Sequence, residues 1–372
     1  MLKKVKVGVI GTGTISGIYL EAPTKFSILD IVAVADLNLD RAKEKAAEYN
    51  VEKVYTVEEM LADPEIEMVI NLTIPKAHYE VTLAALEAGK HVFVEKPLTI
   101  DVEEGKKLLE LAEQKGLRVG CAPDTFLGGA LQTCRKLIDE GVIGKPVAAS
   151  GFMLGAGPEG WHPAPDFYYQ KGGGPMFDMG PYYLTAFIHL LGPIKRVTGS
   201  TQLAFEKRTV TREEDYGRQI PVETPTHVTG LLDFENGAVG TLITSFDVMG
   251  GTQLPCMEIY GTKGTLSVPD PNNFGGAIRV REMGAHDFKD VPLEYGYSDN
   301  SRGIGAADMA HAIRAGRNHR ANGHMALQVL EVMHAIHESS VEGEHVHIEN
   351  ACSRPEILPF GLSQDNQELF EK

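Results

Sequence analysis

The residues with the most chemistry to offer lie where an apolar run, His91-Val92-Phe93-Val94, passes straight into Glu95-Lys96-Pro97. Such a run reads as a buried strand, and in a parallel α/β sheet ligands bind beyond the carboxyl ends of the strands. A strand ending in an acid and a base therefore delivers two opposite charges to the place where a cofactor lies. Pro97 fixes its own φ and pushes Lys96 out of the α region, so the ammonium is presented from a restricted backbone. Taken alone, Glu-Lys-Pro reads as a surface ion pair; the upstream residues reverse that reading.

The run Val5 to Ile10 opens into Gly11-Thr12-Gly13-Thr14-Ile15-Ser16-Gly17, which is Gly-x-Gly-x-x-Gly with serine in the third place. Gly11 permits the tight turn, Gly13 lets a pyrophosphate approach the backbone, and the third position needs only a small side chain for the helix to pack on the strand. The pyrophosphate is expected on the helix N-terminus, among the backbone groups of Gly11, Thr12, Gly13, Thr14 and Ile15, where unpaired N–H groups and the dipole favour an anion. Asp36 ends a second strand about 20 residues on, where a carboxylate accepts hydrogen bonds from the adenosine ribose; its other use is as a turn or capping residue. Leu37-Asn38-Leu39 brings no immediate arginine for a 2′-phosphate. NAD(H) is expected over NADP(H), with Asn38 in the ribose site and Arg41 as the reservation.

A second constellation surrounds Asp178 and Tyr182, which share one face if both are helical, with Thr185 joining them. Pro181 is comfortable only in a first helical turn, so the helix starts near Met179 or is kinked there. Oxidising an alcohol sends a proton to a base, and a free tyrosine, with a pKa of about 10, is a poor base at neutral pH. A cation beside it favours the phenolate, and Lys96 is the candidate; Asp178 would accept from a substrate hydroxyl or hold Lys96 in place. Lys96, Tyr182 and Asp178 are the expected catalytic set. Asp124, Trp161, His162 and Thr185 are substrate candidates. Asp124 either faces the cleft or caps the next helix, and Trp161-His162, with the chain's single tryptophan, either walls a sugar ring or anchors its loop by burial. His345 and His347 alternate with no acid or cysteine at ligand spacing, so no metal site is expected.

The elements that position these residues alternate through the first third of the chain. Residues 31–35 and 68–72 repeat the β-rich type of Val5 to Ile10. Between such runs, residues 40–49 are rich in helix formers, Thr56-Val57-Glu58-Glu59 is a capping box, residues 79–88 end at Gly89, and residues 102–114 have Asp101 and Glu104 as capping partners and Gly116 beyond their end. The fold class is α/β: a Rossmann dinucleotide-binding domain over residues 1–123 and a substrate-binding and oligomerisation domain over residues 124–372. In the latter, residues 228–234 and 238–245 are joined by Asn236-Gly237, a strong hairpin signal, and a second hairpin turns at Gly261-Thr262-Lys263-Gly264. Late helices at 306–315 and 325–340 are expected to pack back on the first domain. Residues 206–226, with mixed charges and few large aliphatics, read as a long exposed excursion.

A 372-residue chain with 43% hydrophobic residues can build two cores. Its net charge of −16 argues against nucleic-acid and anionic-membrane partners. No apolar run approaches the about 20 residues of a membrane span, and Met1-Leu2-Lys3-Lys4 leads into a strand without a small-residue cleavage site, so a cytoplasmic location is expected. The four cysteines are widely spaced, with no Cys-x-x-Cys, and are expected as reduced, mostly buried thiols.

Gly11-Thr12-Gly13, Asn71-Leu72-Thr73-Ile74-Pro75 with His78, Gly89-Lys90-His91-Val92 and Glu95-Lys96-Pro97 together resemble the Gfo/Idh/MocA oxidoreductase family, named for glucose-fructose oxidoreductase and inositol dehydrogenase. Gly141-Val142-Ile143-Gly144-Lys145-Pro146 is similar to the family's entry into its second domain, and the run from Gly172 to Gly180 to its substrate-site helix. The resemblance implies a C-terminal α/β domain whose open, largely antiparallel sheet makes the subunit interface. It implies that Thr73 and Pro75 line the nicotinamide side, that Glu95 holds the nicotinamide ribose, that the Lys96–Pro97 bond is cis, and that His78, Lys96 and Pro97 belong to the cofactor site. The family's commonest pattern is Asp-x-Gly-x-His-x-x-Asp; here Tyr182 replaces the histidine and Thr185 the second aspartate. That departure resembles the glucose-fructose oxidoreductase and dihydrodiol dehydrogenase branch, in which a tyrosine is the acid/base. The implied activity is hydride transfer between a nicotinamide and a secondary alcohol or ketone of a sugar, polyol or glycoside, by a homodimer or homotetramer. An NAD-dependent glycosidase acting by transient oxidation and a non-catalytic NAD or sugar sensor are the alternatives, and the retained Lys96 and Tyr182 count against the sensor.

Overall fold

The computed structural model describes residues 2–371; Met1 and Lys372 lie outside it. Six parallel strands, β1 (Val5–Ile10), β2 (Leu29–Ala35), β3 (Lys53–Tyr55), β4 (Met68–Asn71), β5 (His91–Val94) and β6 (Val119–Cys121), form a sheet in the order β3-β2-β1-β4-β5-β6. The order reverses between β1 and β4, which opens a crevice at the carboxyl ends of β1, β4 and β5. The strands are almost continuously apolar because helices cover both faces: α1 (Ser16–Leu20), α2 (Ala22–Lys25), α3 (Leu39–Tyr49), α4 (Val57–Ala62), α5 (His78–Glu87) and α6 (Val102–Lys115). The capping box of α4 closes both ways, Thr56 Oγ1 accepting from Glu59 N at 3.2 Å and Glu59 Oε2 from Thr56 N at 2.8 Å. At α6 the cap is Asp101, whose carboxylate accepts from the amides of Glu103 and Glu104; the Glu104 side chain is not a reciprocal partner there.

After α7 (Gly129–Asp139) the chain builds a second sheet of β7 (Pro146–Leu154), β8 (Ile194–Gln202), β11 (His227–Phe234), β12 (Val239–Ser245), β13 (Met257–Gly261), β14 (Gly264–Val268), β15 (Ile278–Glu282), β16 (Lys289–Val291) and β17 (Val346–His347). Its order is β16-β15-β14-β13-β7-β12-β11-β8-β17, and only β7 and β12 pair in parallel. Both hairpins turn where the sequence places them, at Asn236-Gly237 and at Thr262-Lys263. The helices α8 (Gly174–Leu191) and α10 (Gly323–Glu342) cover one face. Here α10 lies so close that a Cβ on Gly199 would stand 1.9 Å from the Ile336 carbonyl oxygen. Facing outward on β11 and β12 are Thr229, Leu231, Asp233, Val239, Thr241 and Ile243, a half-polar row rather than a uniformly apolar one.

The late helices and the loop between them contact the first domain. From α9 (Ile304–Ala315), Arg314 donates to both Glu67 carboxylate oxygens at 2.7 and 2.8 Å, and Cys121 N of β6 donates to Ala321 O at 3.1 Å. One apolar cluster therefore runs from Val5 and Val7 through Leu131 and Leu184 to Val329 and Ile336. The excursion at 206–226 is a correction. It forms a two-stranded ribbon of β9 (Lys207–Thr209) and β10 (Gln219–Pro221), and Val210, Ile220 and Val222 are buried against Tyr168, Tyr169 and Phe246. The few aliphatics it has are all turned inward. Arg208 is also buried there, paired with Glu159 and with Asp247, and Tyr169 donates to Glu159. A charge count read this buried ionic knot as solvated surface.

His311 is buried and stacked on Phe370, ring centroids 4.8 Å apart, with neither ring nitrogen bonded to a protein group. Burial pushes it down to about 4, and likewise His319. Both are neutral when folded, and the unfolded chain binds their protons below 6.5. Their contribution is complete above that value and is lost as pH falls toward 4, at about 1.4 kcal/mol per pH unit each. Asp124, pushed up to about 6 by burial, acts in the opposite sense over part of this window, one group against His311, His319 and the other histidines that burial depresses, His91 among them. Urea midpoints are expected to fall between pH 7 and pH 5, and His311→Phe, which removes two unpaired ring nitrogens, to flatten that fall. A steeper acid loss in the variant would show that His311 is not a source of it.

Candidate active site

At the end of β5 the Lys96–Pro97 bond is cis. Lys96 Nζ crosses to α8, donating to the Asp178 carbonyl oxygen at 2.8 Å and to Asp178 Oδ1 at 3.1 Å, and lies 5.4 Å from the centroid of the Tyr182 ring. The helix begins at Gly174 and runs through Pro181, so it does not start near Met179, and the proline lies inside it as the other alternative requires. Pro181 has no N–H to give to the Phe177 carbonyl one turn back; Lys96 donates to the next carbonyl, that of Asp178. Burial opposes the Lys96 charge, but Asp178, then Tyr182 and Glu95, outweigh it and hold the ammonium above its ordinary range. Lys96 is thus a fixed cation. For Tyr182 burial wins: it raises the phenol against the opposing charges of Lys96 and Arg302. The expected depression of the tyrosine by Lys96 is real in direction and too small to dominate.

Glu95 is held from two sides, by Tyr19 Oη donating to Oε1 at 2.6 Å and by Lys96 N donating to Oε2 at 2.9 Å. In the glycine turn, a Cβ on Gly11 (φ +98°) would stand 2.7 Å from the Leu72 carbonyl, while the space beside Gly13 is open. The turn therefore packs tightly on the β4 loop and leaves an approach for a ligand at Gly13. No side chain caps α1, and Thr14 and Ile15 are exposed at its start. Two further apolar side chains, Leu37 at 101% exposure and Ile74 at 68%, follow the ends of β2 and β4. Open amides with apolar walls suit the pyrophosphate, adenine and nicotinamide of a dinucleotide.

Asp36 is already occupied. Its carboxylate accepts from Thr12 N and Oγ1 at 2.8 and 2.9 Å, from Asn38 N at 2.8 Å, and from Arg41 Nη2 at 2.7 and 2.8 Å. Burial works against the charge, but Arg41 and these donors outweigh it and hold the carboxyl below its usual range. Arg41 lies one helical turn further along the chain and half exposed over Asp36, so this carboxylate carries a guanidinium of its own.

Several expected site residues serve the frame instead. Asn38 is the N-cap of α3, its Oδ1 accepting from the amides of Asp40 and Arg41. His78 is fully buried, with Nδ1 2.6 Å from Pro97 O and Nε2 3.0 Å from Thr73 O; it ties the β4 loop to the β5 end and presents no free ring nitrogen. Thr73 Oγ1 donates to Asn71 Oδ1 at 2.7 Å, while Pro75 is exposed. Asp124 caps a helix, though not the next one: its Oδ2 accepts from Gly303 N at 2.9 Å and Gly305 N at 3.0 Å, at the start of α9. Thr185 is buried beside a void of about 10 Å3 behind Lys96, room for no more than a water. Trp161 is 65% exposed and so does not anchor its loop by burial. It packs edge-on against His162 and Tyr168, and Tyr168 feels the charges of Asp178 and Lys96. Sequence reasoning missed Tyr19, Tyr168, Leu37, Ile74 and Arg302. For Leu37 and Ile74 a signal existed, an apolar residue just past a strand end; the other three depend on chain crossings with no local signature.

Fold and site define a Rossmann-type protein with a dinucleotide-binding crevice. The chain belongs to the Gfo/Idh/MocA family: residues 5–122 match the model described as an oxidoreductase family with an NAD-binding Rossmann fold, and residues 131–267 match the GFO/IDH/MocA C-terminal domain. It is 32% identical over 200 residues to scyllo-inositol 2-dehydrogenase (NADP(+)) of Bacillus subtilis, covering 53% of this chain and 54% of that protein, so the match spans about half the relative's length. It is 25% identical over 263 residues to myo-inositol 2-dehydrogenase of Thermotoga maritima, covering 70% and 74%. A solved levoglucosan dehydrogenase in complex with NADH superposes with a TM-score of 0.80 at 24% identity, over 94% of this chain and 100% of that one, a likeness of fold.

Because Asp36 both repels a 2′-phosphate and restrains the arginine that would pair with it, NAD(H) is expected to bind at least about tenfold tighter than NADP(H). Asp36→Ala should release Arg41, weakening NAD(H) and strengthening NADP(H), and fluorescence titration of both cofactors measures the change. Equal dissociation constants in the wild type would remove Asp36 as a selector.

Proposed function

We propose that this protein is an NAD(H)-dependent dehydrogenase acting on a secondary alcohol or ketone of a sugar, polyol or glycoside, in the cytoplasm and as a homo-oligomer. The observation that carries this reading is the Lys96 ammonium, bonded to Asp178 and set against the Tyr182 ring at the carboxyl edge of the dinucleotide-binding sheet. The relatives named above act on inositols or on levoglucosan by their names, which favours a cyclic polyol or sugar.

Bound nicotinamide supplies or accepts the hydride. Lys96, permanently charged, polarises the reacting oxygen and stabilises the developing alkoxide. Asp178 positions Lys96 and offers its second carboxylate oxygen to a neighbouring hydroxyl. Tyr182, raised by burial, is a phenol at neutral pH, so it donates a proton to the oxygen in the direction of ketone reduction and must ionise before it serves the reverse reaction. The oxidation rate is therefore expected to rise toward alkaline pH.

A panel of sugars and inositols followed by NADH absorbance tests the activity; sugar release without NADH accumulation would assign the transient-oxidation glycosidase instead. Tyr182→Phe should lower kcat by about 10² or more, abolish the alkaline rise and leave cofactor affinity unchanged. Near-normal turnover in Tyr182→Phe, with loss in Lys96→Met, would make the tyrosine a wall of the pocket. For assembly, the exposed Leu231 and Val239 on the outer sheet face favour a dimer or tetramer through that face. Light scattering at micromolar concentration should show one, and Leu231→Lys should weaken it; a monomeric wild type would contradict the assembly.

A further inference from the structure

Arg302, just before α9, is half-buried, and its guanidinium is fixed entirely by neutral groups. Nη1 donates to Asn300 Oδ1 at 2.9 Å, and Nη2 to Asn272 Oδ1 at 2.8 Å and to Asn272 O at 3.4 Å. Among the described residues no carboxylate lies within 4.0 Å of it. By contrast Arg135, Arg208, Arg314 and Arg320 each hold one. Asp124 attracts Arg302 from behind, but its Oδ2 is committed to the amides of Gly303 and Gly305. Five N–H groups against three acceptors leave donors for a ligand.

The guanidinium has two faces. On one side it stands by the Tyr182 hydroxyl, whose phenolate form it favours. On the other it closes a cleft of about 400 Å3 formed by residues 272–276 and 298–302, with Asn272, Asn273, Ser298 and Asn300 as its polar lining. The one acid of that lining, Asp299, is spent on Lys25 of α2 at 2.5 Å. The cleft falls in the size range of small-molecule sites, and its amides and hydroxyl suit a polyhydroxy chain or ring. Amide partners orient the arginine fork without cancelling its charge, the arrangement that pairs best with a planar carboxylate.

We infer that the substrate is an acidic sugar or polyol, of the uronate or aldonate class, whose carboxylate seats on Arg302 while the reacting carbinol reaches Tyr182 and Lys96. This rests on the dehydrogenase reading of Lys96 and Tyr182.

The test is calorimetric titration of D-glucuronate and D-gluconate, beside neutral D-glucose and D-glucitol, into the NADH-saturated protein, with NAD+ turnover measured in parallel. The acids should bind about tenfold tighter or more than their neutral partners. Arg302→Met should erase the difference while NADH affinity stays within about twofold, and Arg302→Lys should retain part of it. Binding of the acids no tighter than the neutral compounds overturns the inference. So does an Arg302→Met protein that loses NADH affinity and keeps the acid preference, which would assign the guanidinium to the cofactor's pyrophosphate. Acid binding that depends on Arg302 without any NADH formation would instead sink the dehydrogenase reading and leave the acidic ligand standing.

Discussion

The Lys96 ammonium has to be satisfied away from bulk water, and the way this chain satisfies it joins the two halves of the molecule. The cation leaves the end of β5, crosses the crevice and finds both the carbonyl and the carboxylate of Asp178 on α8. Breaking a buried pair by removing one partner costs about 3–5 kcal/mol, because the other charge is left uncompensated. The ion pair thus constrains where α8 sits against the Rossmann sheet. Tyr182 follows one turn later on the same helix face, so the phenol is carried to the cation by the same constraint.

Around that joint the neighbouring groups are fixed by bonds that span long stretches of chain. Glu95 is oriented by Tyr19 from α1, and His78 is wedged between Pro97 and Thr73. Asp124 links the exit of β6 to the start of α9, and with it places Arg302. Each of these polar side chains is half-buried or buried and finds backbone or side-chain partners, as buried polar groups must. Because the apolar core is continuous from the parallel sheet to α10, the two sheets meet across packed side chains, and the crevice between them has a defined shape on both walls.

The cofactor end is governed by a different balance. Asp36 sits at the end of β2 as a ribose acid should, yet Arg41 neutralises it in the free protein. A diol that binds Asp36 must then share or displace a guanidinium that is half exposed. The same arginine is the group that a 2′-phosphate would seek, so selectivity between the two cofactors depends on how strongly Asp36 retains Arg41.

The architecture of the first domain and the hairpins of the second were determined by the sequence itself, because their signals are local. Continuous β-branched runs, the glycine turn after Ile10, the Thr56 box and the Asn236-Gly237 hairpin each depend on a few adjacent residues whose backbone preferences agree with the tertiary result. The catalytic candidates were legible for a similar reason: Glu95-Lys96-Pro97 and Asp178 with Tyr182 are fixed spacings on single elements. What those side chains touch was decided only by the tertiary structure. Asp124 became a cap for a helix almost 180 residues away, Arg208 and its acids became a buried knot, Thr185 turned into the core, and Arg302 came to stand between Tyr182 and a polar cleft. Partners so far apart in sequence leave no periodicity or motif behind, since their meeting is set by how sheets and helices pack and not by any local preference of the residues that meet.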